Sequence, residues 1–198
     1  MVLSQTDIKK SIETGEIAFS PDLEPDQFGE ASIDLRLGFS FTKLRSVPGV
    51  KLSVASGLGA LSLSGFWNTI ELKEKDDHGH QQSYALSPGE FVLCMTHESI
   101  TVPPNLIALV EGRSTYARVG LSMHQTAPWI QPGWEGPIVL EIMNNGPLQI
   151  ELTPLIDRPC QLTFFELKTA CDIAARYGSR PTDVYQKQAH PLTPKKKN

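Results

Sequence analysis

The stretch Ile33-Asp34-Leu35-Arg36-Leu37-Gly38-Phe39-Ser40-Phe41-Thr42 decides the fold class. Ile33, Leu35, Leu37, Phe39 and Phe41 fall on alternate positions, with Asp34, Arg36, Ser40 and Thr42 between them. A period of two lines the apolar side chains along one face of an extended chain, so the segment reads as a half-buried strand and not a helix. Further strands are expected at Thr69 to Lys73, Phe91 to Thr96, Leu106 to Val110, Ile138 to Met143, Leu148 to Leu152 and Gln161 to Leu167. Asn144-Asn145-Gly146-Pro147 separates two of these runs as a hairpin turn would. One short helix is expected at the N-terminus. Ser4 and Asp7 resemble a capping box, Ile8 and Ile12 share a face, and Gly15 can close the end. The fold class is mainly β.

The chain has 198 residues, the size of one ordinary domain with an appendage. At that length roughly 70% of the unfolded surface can be buried, so no disulfide or metal staple is needed. No apolar run approaches bilayer length, and the first residues lack a basic segment followed by an apolar one, so neither a membrane span nor a signal peptide is expected. Cys94, Cys160 and Cys171 form no C-x-x-C pair, which suits reduced thiols and a cytoplasmic setting. Net charge is −4 and the one basic run is Lys195-Lys196-Lys197, so no nucleic-acid partner is expected. An anionic ligand would have to be held by local positive charge. Val47 to Gly65 reads as an inserted ribbon or loop and Lys73 to Gln82 as a solvated connection; His78-x-His80 lacks a third metal ligand nearby. Residues 1–170 are read as the domain, and 171–198 as a polar tail, either disordered or laid over another part of the protein.

Two segments carry chemistry. In Glu111-Gly112-Arg113-Ser114-Thr115-Tyr116-Ala117-Arg118-Val119-Gly120, two arginines bracket hydroxyl side chains, and guanidinium forks match phosphate oxygens. A surface loop with solvated arginines is the alternative reading. In Pro132-Gly133-Trp134-Glu135-Gly136-Pro137-Ile138-Val139-Leu140-Glu141-Ile142-Met143, a strand would place Glu141 beside Val139 and Met143, with Ile138, Leu140 and Ile142 on the other face. A carboxylate flanked this way must find a partner or carry protons. Glu141 is therefore the general-base candidate, with a buried ion pair or a strand-edge glutamate as the alternative.

Gly29-Glu30-Ala31-Ser32-Ile33-Asp34-Leu35-Arg36-Leu37-Gly38, the Arg113 segment, His124-Gln125-Thr126-Ala127-Pro128-Trp129-Ile130-Gln131-Pro132-Gly133-Trp134-Glu135-Gly136 and Pro159-Cys160-Gln161-Leu162 together resemble the dCTP deaminase branch of the dUTPase superfamily, in order and spacing. The resemblance implies a dUTPase-like distorted β-barrel or jelly roll (β-clip), homotrimeric, with sites between subunits. It implies hydrolysis of dCTP to dUTP and ammonia, feeding dUMP and dTTP synthesis, with no zinc. Mg²⁺ enters as the companion of the triphosphate, and dTTP is a candidate inhibitor. By position, Glu141 would be the proton shuttle, Ser114 and Arg118 would hold the polar network, and the Ala127 carbonyl would orient the water. Arg113, Thr115, Tyr116, Ala117, Gln131, Gln161, Tyr177 and Gln188 would contact substrate. Val139 and Leu140 would offer backbone groups to the cytosine edge. Tyr177 and Gln188 lie on the tail, which would close over the nucleotide.

Zinc-dependent nucleobase deaminases carry H-x-E and P-C-x-x-C, whereas here His97 directly precedes Glu98 and the cysteines are wrongly spaced. Two departures from the resembled family stand out. Gln131 replaces an aspartate that in dUTPases helps activate water, which weighs against pyrophosphatase activity. Val184 replaces a phosphate-contacting lysine found in some relatives, with Lys187 close by. The competing readings are a dUTPase or bifunctional enzyme, and a catalytically silent nucleotide-binding regulatory trimer. His124 reads as a structural histidine beside the site, and Trp129 and Trp134 as packing residues at the subunit contact.

Overall fold

The alternating stretch at 33–42 is two strands in different sheets. In a computed structural model, residues 1–49, 51, 66–180, 183, 185–188 and 191 are described. Ile33–Leu35 (β2) pairs antiparallel with Cys160–Glu166 (β12), whereas Leu37–Leu44 (β3) pairs with Phe91–Thr101 (β6). The change of sheet falls at Arg36, whose main-chain N–H and Nε donate to the Glu98 carboxylate at 2.9 and 2.6 Å. Beyond it the register with β6 shifts between Leu37 and Phe41, and Ser40, Phe41 and Thr42 are all buried. Alternation therefore survives within β2 and is lost where the chain crosses over.

The remaining strands are Ala18–Ser20 (β1), Trp67–Glu71 (β4), Tyr84–Leu86 (β5), Leu106–Gly112 (β7), Leu121–Ser122 (β8), Trp129–Ile130 (β9), Glu135–Asn144 (β10) and Ile150–Leu152 (β11). Among the described residues, one sheet runs β4-β3-β6-β10-β8 with β1 also on β6, a second runs β2-β12-β7-β9, and β5 pairs with β11. Both larger sheets contribute to one apolar core, with Phe41, Ile100 and Leu140 from the first and Ala108, Leu162 and Phe164 from the second. The helix Gln5–Glu13 (α1) has the expected capping box, with the Ser4 and Asp7 side chains each accepting from the other residue's N–H. Ile8 is fully buried beneath it.

The Asn144–Pro147 turn is not a hairpin. β10 pairs with β6 and β8, while β11 pairs with β5, so the turn hands the chain from one sheet to another. Buried Asn144 organises it: Nδ2 donates to the carbonyls of Leu86 and Leu148 at 3.0 and 2.8 Å, and Oδ1 accepts the Gly146 N–H at 2.9 Å. Most of the Val47–Gly65 stretch, Val184 and Lys195–Lys197 lie outside the described residues. Among the described residues no helix is long and apolar enough to cross a membrane.

Candidate active site

β10 alternates as its sequence requires, with Ile138, Leu140 and Ile142 buried and Val139, Glu141 and Met143 half-buried on the other face. One edge pairs with β6, placing Val139 opposite Met95, Leu140 opposite Cys94 and Glu141 opposite Leu93. On the other edge, β8 pairs only at Met143 and Asn144. Glu141 donates its N–H to the Met123 carbonyl there at 3.0 Å. Main-chain groups two residues apart face the same edge, so Val139 presents its own N–H and C=O to that side. Among the described residues no strand covers that edge between Pro137 and Leu140.

The loop after β8 holds Glu141. The Gln125 N–H donates to Glu141 Oε2 at 3.0 Å, and Gln125 Nε2 donates to the Glu141 carbonyl at 3.2 Å. Among the described residues Oε1 has no hydrogen-bond partner. In the same loop His124 Nε2 lies 3.3 Å from Glu111 Oε2, and its buried Nδ1 has no partner among the described residues. Ala127 and Gln131 are exposed. Glu111 pairs across to Gln161, and Gln161 to Asp34, with the Ser32 hydroxyl donating to Gln161 Oε1 at 3.3 Å.

β7 runs into the four-residue helix Ser114–Ala117 (α2). Arg113 is anchored before it: its N–H donates to the Pro159 carbonyl at 2.9 Å, Nη1 donates to the Arg158 carbonyl at 3.0 Å, and Nε pairs with Asp34 Oδ2 at 3.0 Å. Burial pushes the Asp34 carboxyl above its ordinary value even though the Arg113 charge pulls it down. The Tyr116 hydroxyl donates to Asp157 Oδ1 at 3.1 Å and accepts the Arg158 N–H at 3.3 Å. Its pKa is raised, by burial first and by the Asp157 charge second. Ser114, Thr115, Ala117 and Arg118 are exposed, and among the described residues the Arg118 guanidinium has no partner.

The described part of the tail is seated on the turn before β10. The Tyr177 N–H donates to the Pro132 carbonyl at 2.8 Å, and its ring lies 5.1 Å from that of Trp134. Gln186 Nε2 donates to the Gly133 carbonyl at 3.1 Å, the Lys187 N–H donates to the Glu135 carbonyl at 2.9 Å, and Lys187 Nζ pairs with Glu135 Oε2 at 2.8 Å. Gly133 and Gly136 make the close approach possible, with φ of +87° and +133°. A Cβ on Gly133 would stand 2.8 Å from the Arg176 side chain, and one on Gly136 3.2 Å from the Lys187 main chain. Buried Gln188 lines a cavity of about 360 Å³ with Ser99, Thr101 and Pro137. Trp134 belongs to its own chain's core, with Nε1 donating to the Gly136 carbonyl at 3.0 Å, whereas Trp129 is 50% exposed.

β10 therefore acts as a ruler. The tail is seated at Glu135, the acid stands at Glu141, and Asn145 reaches the arginine turn through its N–H bond to the Gly120 carbonyl at 2.8 Å. At roughly 3.3 Å per residue the tail seat is about 20 Å from Glu141, and Asn145 about 13 Å from it on the opposite side. A single chain links Glu141, Gln125, His124, Glu111 and Gln161 through successive contacts. Among the described residues neither Ser114 nor Arg118 is hydrogen-bonded or ion-paired to Glu141, and Gln188 lines the cavity at Pro137. Sequence reasoning missed Asp34 as the partner of Arg113 and Gln125 as the holder of Glu141. Only the polar slot of Asp34 in an alternating strand hinted at the first. Among the described residues no group of three or more His, Cys, Asp and Glu is placed to hold a metal ion.

A family model described as dCTP deaminase-like matches residues 2–167. The dCTP deaminase of Haloarcula marismortui is 37% identical over 198 residues, covering 98% of this chain and 94% of that one. The dCTP deaminase, dUMP-forming, of Methanosphaera stadtmanae is 35% identical over 163 residues, 82% of this chain and 78% of that one. Among solved structures, 2′-deoxycytidine 5′-triphosphate deaminase from Agrobacterium tumefaciens superimposes with a TM-score of 0.60 at 23% identity, over 82% of this chain. The match covers 47% of that chain, so this one spans about half its length; the likeness is one of fold.

Proposed function

The chain belongs to the dCTP deaminase-like family, and from that premise we propose that it hydrolyses dCTP to dUTP and ammonia, with Glu141 as the proton carrier and the site completed between copies of a homotrimer. The observation that carries this reading is the edge of β10 at Val139, uncovered by any strand among the described residues, beside a glutamate with one oxygen unengaged among them. Cytosine presents one donor and two acceptors along its pairing edge, and a strand's N–H and C=O can meet such an edge directly. The base would then lie in line with Glu141.

Glu141 takes one proton from water as its oxygen bonds to C4, and passes that proton to N3. The new C4 hydroxyl then gives up its proton through Glu141 to the amino group. The C4–N bond breaks, ammonia leaves, C4 becomes a carbonyl, and Glu141 is regenerated as a carboxylate. General acid–base work of this kind supplies roughly 10²–10⁴-fold. Ser114 and Arg118 hold the water and polarise the centre, Ala127 orients it through its carbonyl, and Arg113 meets the triphosphate. Thr115, Tyr116, Ala117, Gln131, Gln161, Tyr177 and Gln188 complete the nucleotide's surroundings. Mg²⁺ travels with the triphosphate, held mainly by phosphate oxygens and water.

The spacing of these groups along β10 supports a composite site. Along β10, Glu141 stands about 20 Å from the seat of the described tail and about 13 Å from Asn145, which bonds the Gly120 carbonyl. The exposed Arg118 guanidinium, without a partner among the described residues, is where a second copy can bring a nucleotide. The absence of H-x-E and P-C-x-x-C supports a zinc-free reaction. Gln131, which cannot serve as a base, supports dUTP as the final product. The product dUTP differs from dTTP by a single methyl group, which makes dTTP a candidate inhibitor at the same site.

The test is incubation of chelator-treated protein with dCTP, following ammonia, dUTP, dUMP and pyrophosphate. Equal ammonia and dUTP without pyrophosphate is the expected result. Pyrophosphate with dUMP would establish the bifunctional reading, activity restored only by zinc would remove the metal-free mechanism, and binding without either product would leave a silent nucleotide-binding trimer.

A further inference from the structure

The proposed reaction makes no use of Glu98, a carboxylate on β6 with 0% exposure. Its oxygens accept from the Arg36 N–H at 2.9 Å, Arg36 Nε at 2.6 Å and Gln27 Nε2 at 2.9 Å. An apolar replacement for a buried ion pair is often neutral or stabilising, so the pair is weak grounds for stability. What it does provide is geometry. Gln27, also fully buried, uses the same Nε2 to donate to the Asp34 carbonyl at 2.8 Å, so one amide ties Glu98 to the main chain of Asp34.

Asp34 is one of the two mounts of Arg113, through Nε at 3.0 Å. The other is the Arg158 carbonyl, which accepts from Nη1 at 3.0 Å. Arg158 is itself held by Glu24 at 3.1 Å, and Glu24 holds Arg36 at 2.8 Å, which leads back to Glu98. Both mounts of Arg113 thus trace to the same buried carboxylate. They use two of the five N–H donors of a planar guanidinium and fix the plane in which the rest are offered.

We propose that Glu98 and Gln27 are positioning residues for phosphate binding: the core ion pair sets the plane of the Arg113 guanidinium, and so how firmly the nucleotide's phosphates are gripped. This rests on the reading that Arg113 meets the triphosphate. A rigid mount matters because a phosphate oxygen accepts well only when the fork is already aligned, so disorder in the fork is lost binding.

The experiment is a double-mutant cycle on the full chain with dCTP, reading KM, kcat and thermal unfolding. Arg113→Gln is expected to raise KM roughly 10- to 100-fold, the worth of a charge-assisted hydrogen bond. Gln27→Met, which keeps the volume and removes the amide, should raise KM several-fold with little change in kcat. In the Arg113→Gln background Gln27→Met should leave KM unchanged, because the fork it aligned is gone, while its effect on unfolding persists in both backgrounds. If Gln27→Met multiplies KM equally in both backgrounds, its effect does not run through Arg113 and the inference is overturned. If Arg113→Gln itself leaves KM unchanged, the phosphate reading of Arg113 fails first and takes this inference with it. Should Gln27→Met not fold, Glu98→Gln passes through the same cycle with the same opposed outcomes.

Discussion

Glu98 and Glu141 sit on neighbouring strands of one sheet, and the chain treats them in opposite ways. Glu98 is sealed, with both oxygens engaged by Arg36 and one of them also by Gln27. Glu141 has one oxygen held by the Gln125 N–H and the other open among the described residues. A saturated carboxylate has nothing left to offer a substrate and serves to fix its neighbours. A carboxylate held at one oxygen has a fixed direction and a lone pair to spare. The difference separates scaffold from chemistry more sharply than burial does.

The strongest way to break this contrast is Glu141→Gln. Ammonia release from dCTP should fall by about 10²–10⁴-fold while calorimetry still finds dCTP bound, because only the proton carrier is lost. A rate within tenfold of the parent would return Glu141 to the scaffold. Next is Glu98→Gln, which removes the buried one of the two carboxylates paired with Arg36, leaving the half-exposed Glu24, and should cost about 3 kcal/mol in urea unfolding. Glu141→Gln, on a half-exposed face, should change stability by less than about 1 kcal/mol in the same assay. Equal losses would erase the distinction.

A third glutamate sharpens the comparison through pH. Burial opposes ionisation of Glu90, but the Ser87 N–H at 3.0 Å, the Tyr84 hydroxyl at 2.7 Å and Lys43 at 2.9 Å outweigh it, and its pKa lies below the usual value. A lowered folded pKa contributes stability that is full above the unfolded value and lost as pH falls through the folded one. Glu90→Gln should remove that acid-side loss, together with about 1 kcal/mol at neutral pH, as read by urea unfolding from pH 7 to acid. The smallest effect belongs to Gln125→Ala, which deletes only the amide bond to the Glu141 carbonyl. It should lower kcat about three- to tenfold and leave unfolding nearly untouched.

Local signals in the sequence were reliable where local contacts decide the outcome. The Ser4–Asp7 cap, the burial of Ile8, and the facing of Glu141 with Val139 and Met143 follow from spacing alone. The 33–42 stretch alternates as a single strand would, yet the chain changes sheet at Arg36. There Glu98, a residue distant in sequence, takes the Arg36 N–H and Nε, while the Arg36 carbonyl still accepts the His97 N–H of β6. The Asn144–Pro147 turn has hairpin composition, yet the buried Asn144 amide bonds to Leu86 and Leu148 and steers the chain to another sheet. Trp134 was expected at a subunit contact, but its indole finds the Gly136 carbonyl and the Tyr177 ring within its own chain. The partner of Arg113 and the seat of the tail depend on long-range contacts that no periodicity encodes.

The most direct measurement of the composite site is complementation between two dead chains. Glu141→Gln and Arg118→Ala chains carrying different affinity tags would be co-expressed, and assemblies holding both isolated by tandem purification. If Glu141 of one copy works with Arg118 of the next, each mixed trimer holds one intact site, and ammonia release from dCTP should return to about one third of the parental rate. Mixed assemblies as inactive as the separate variants would show that acid and arginine must come from the same chain, and would contradict the account.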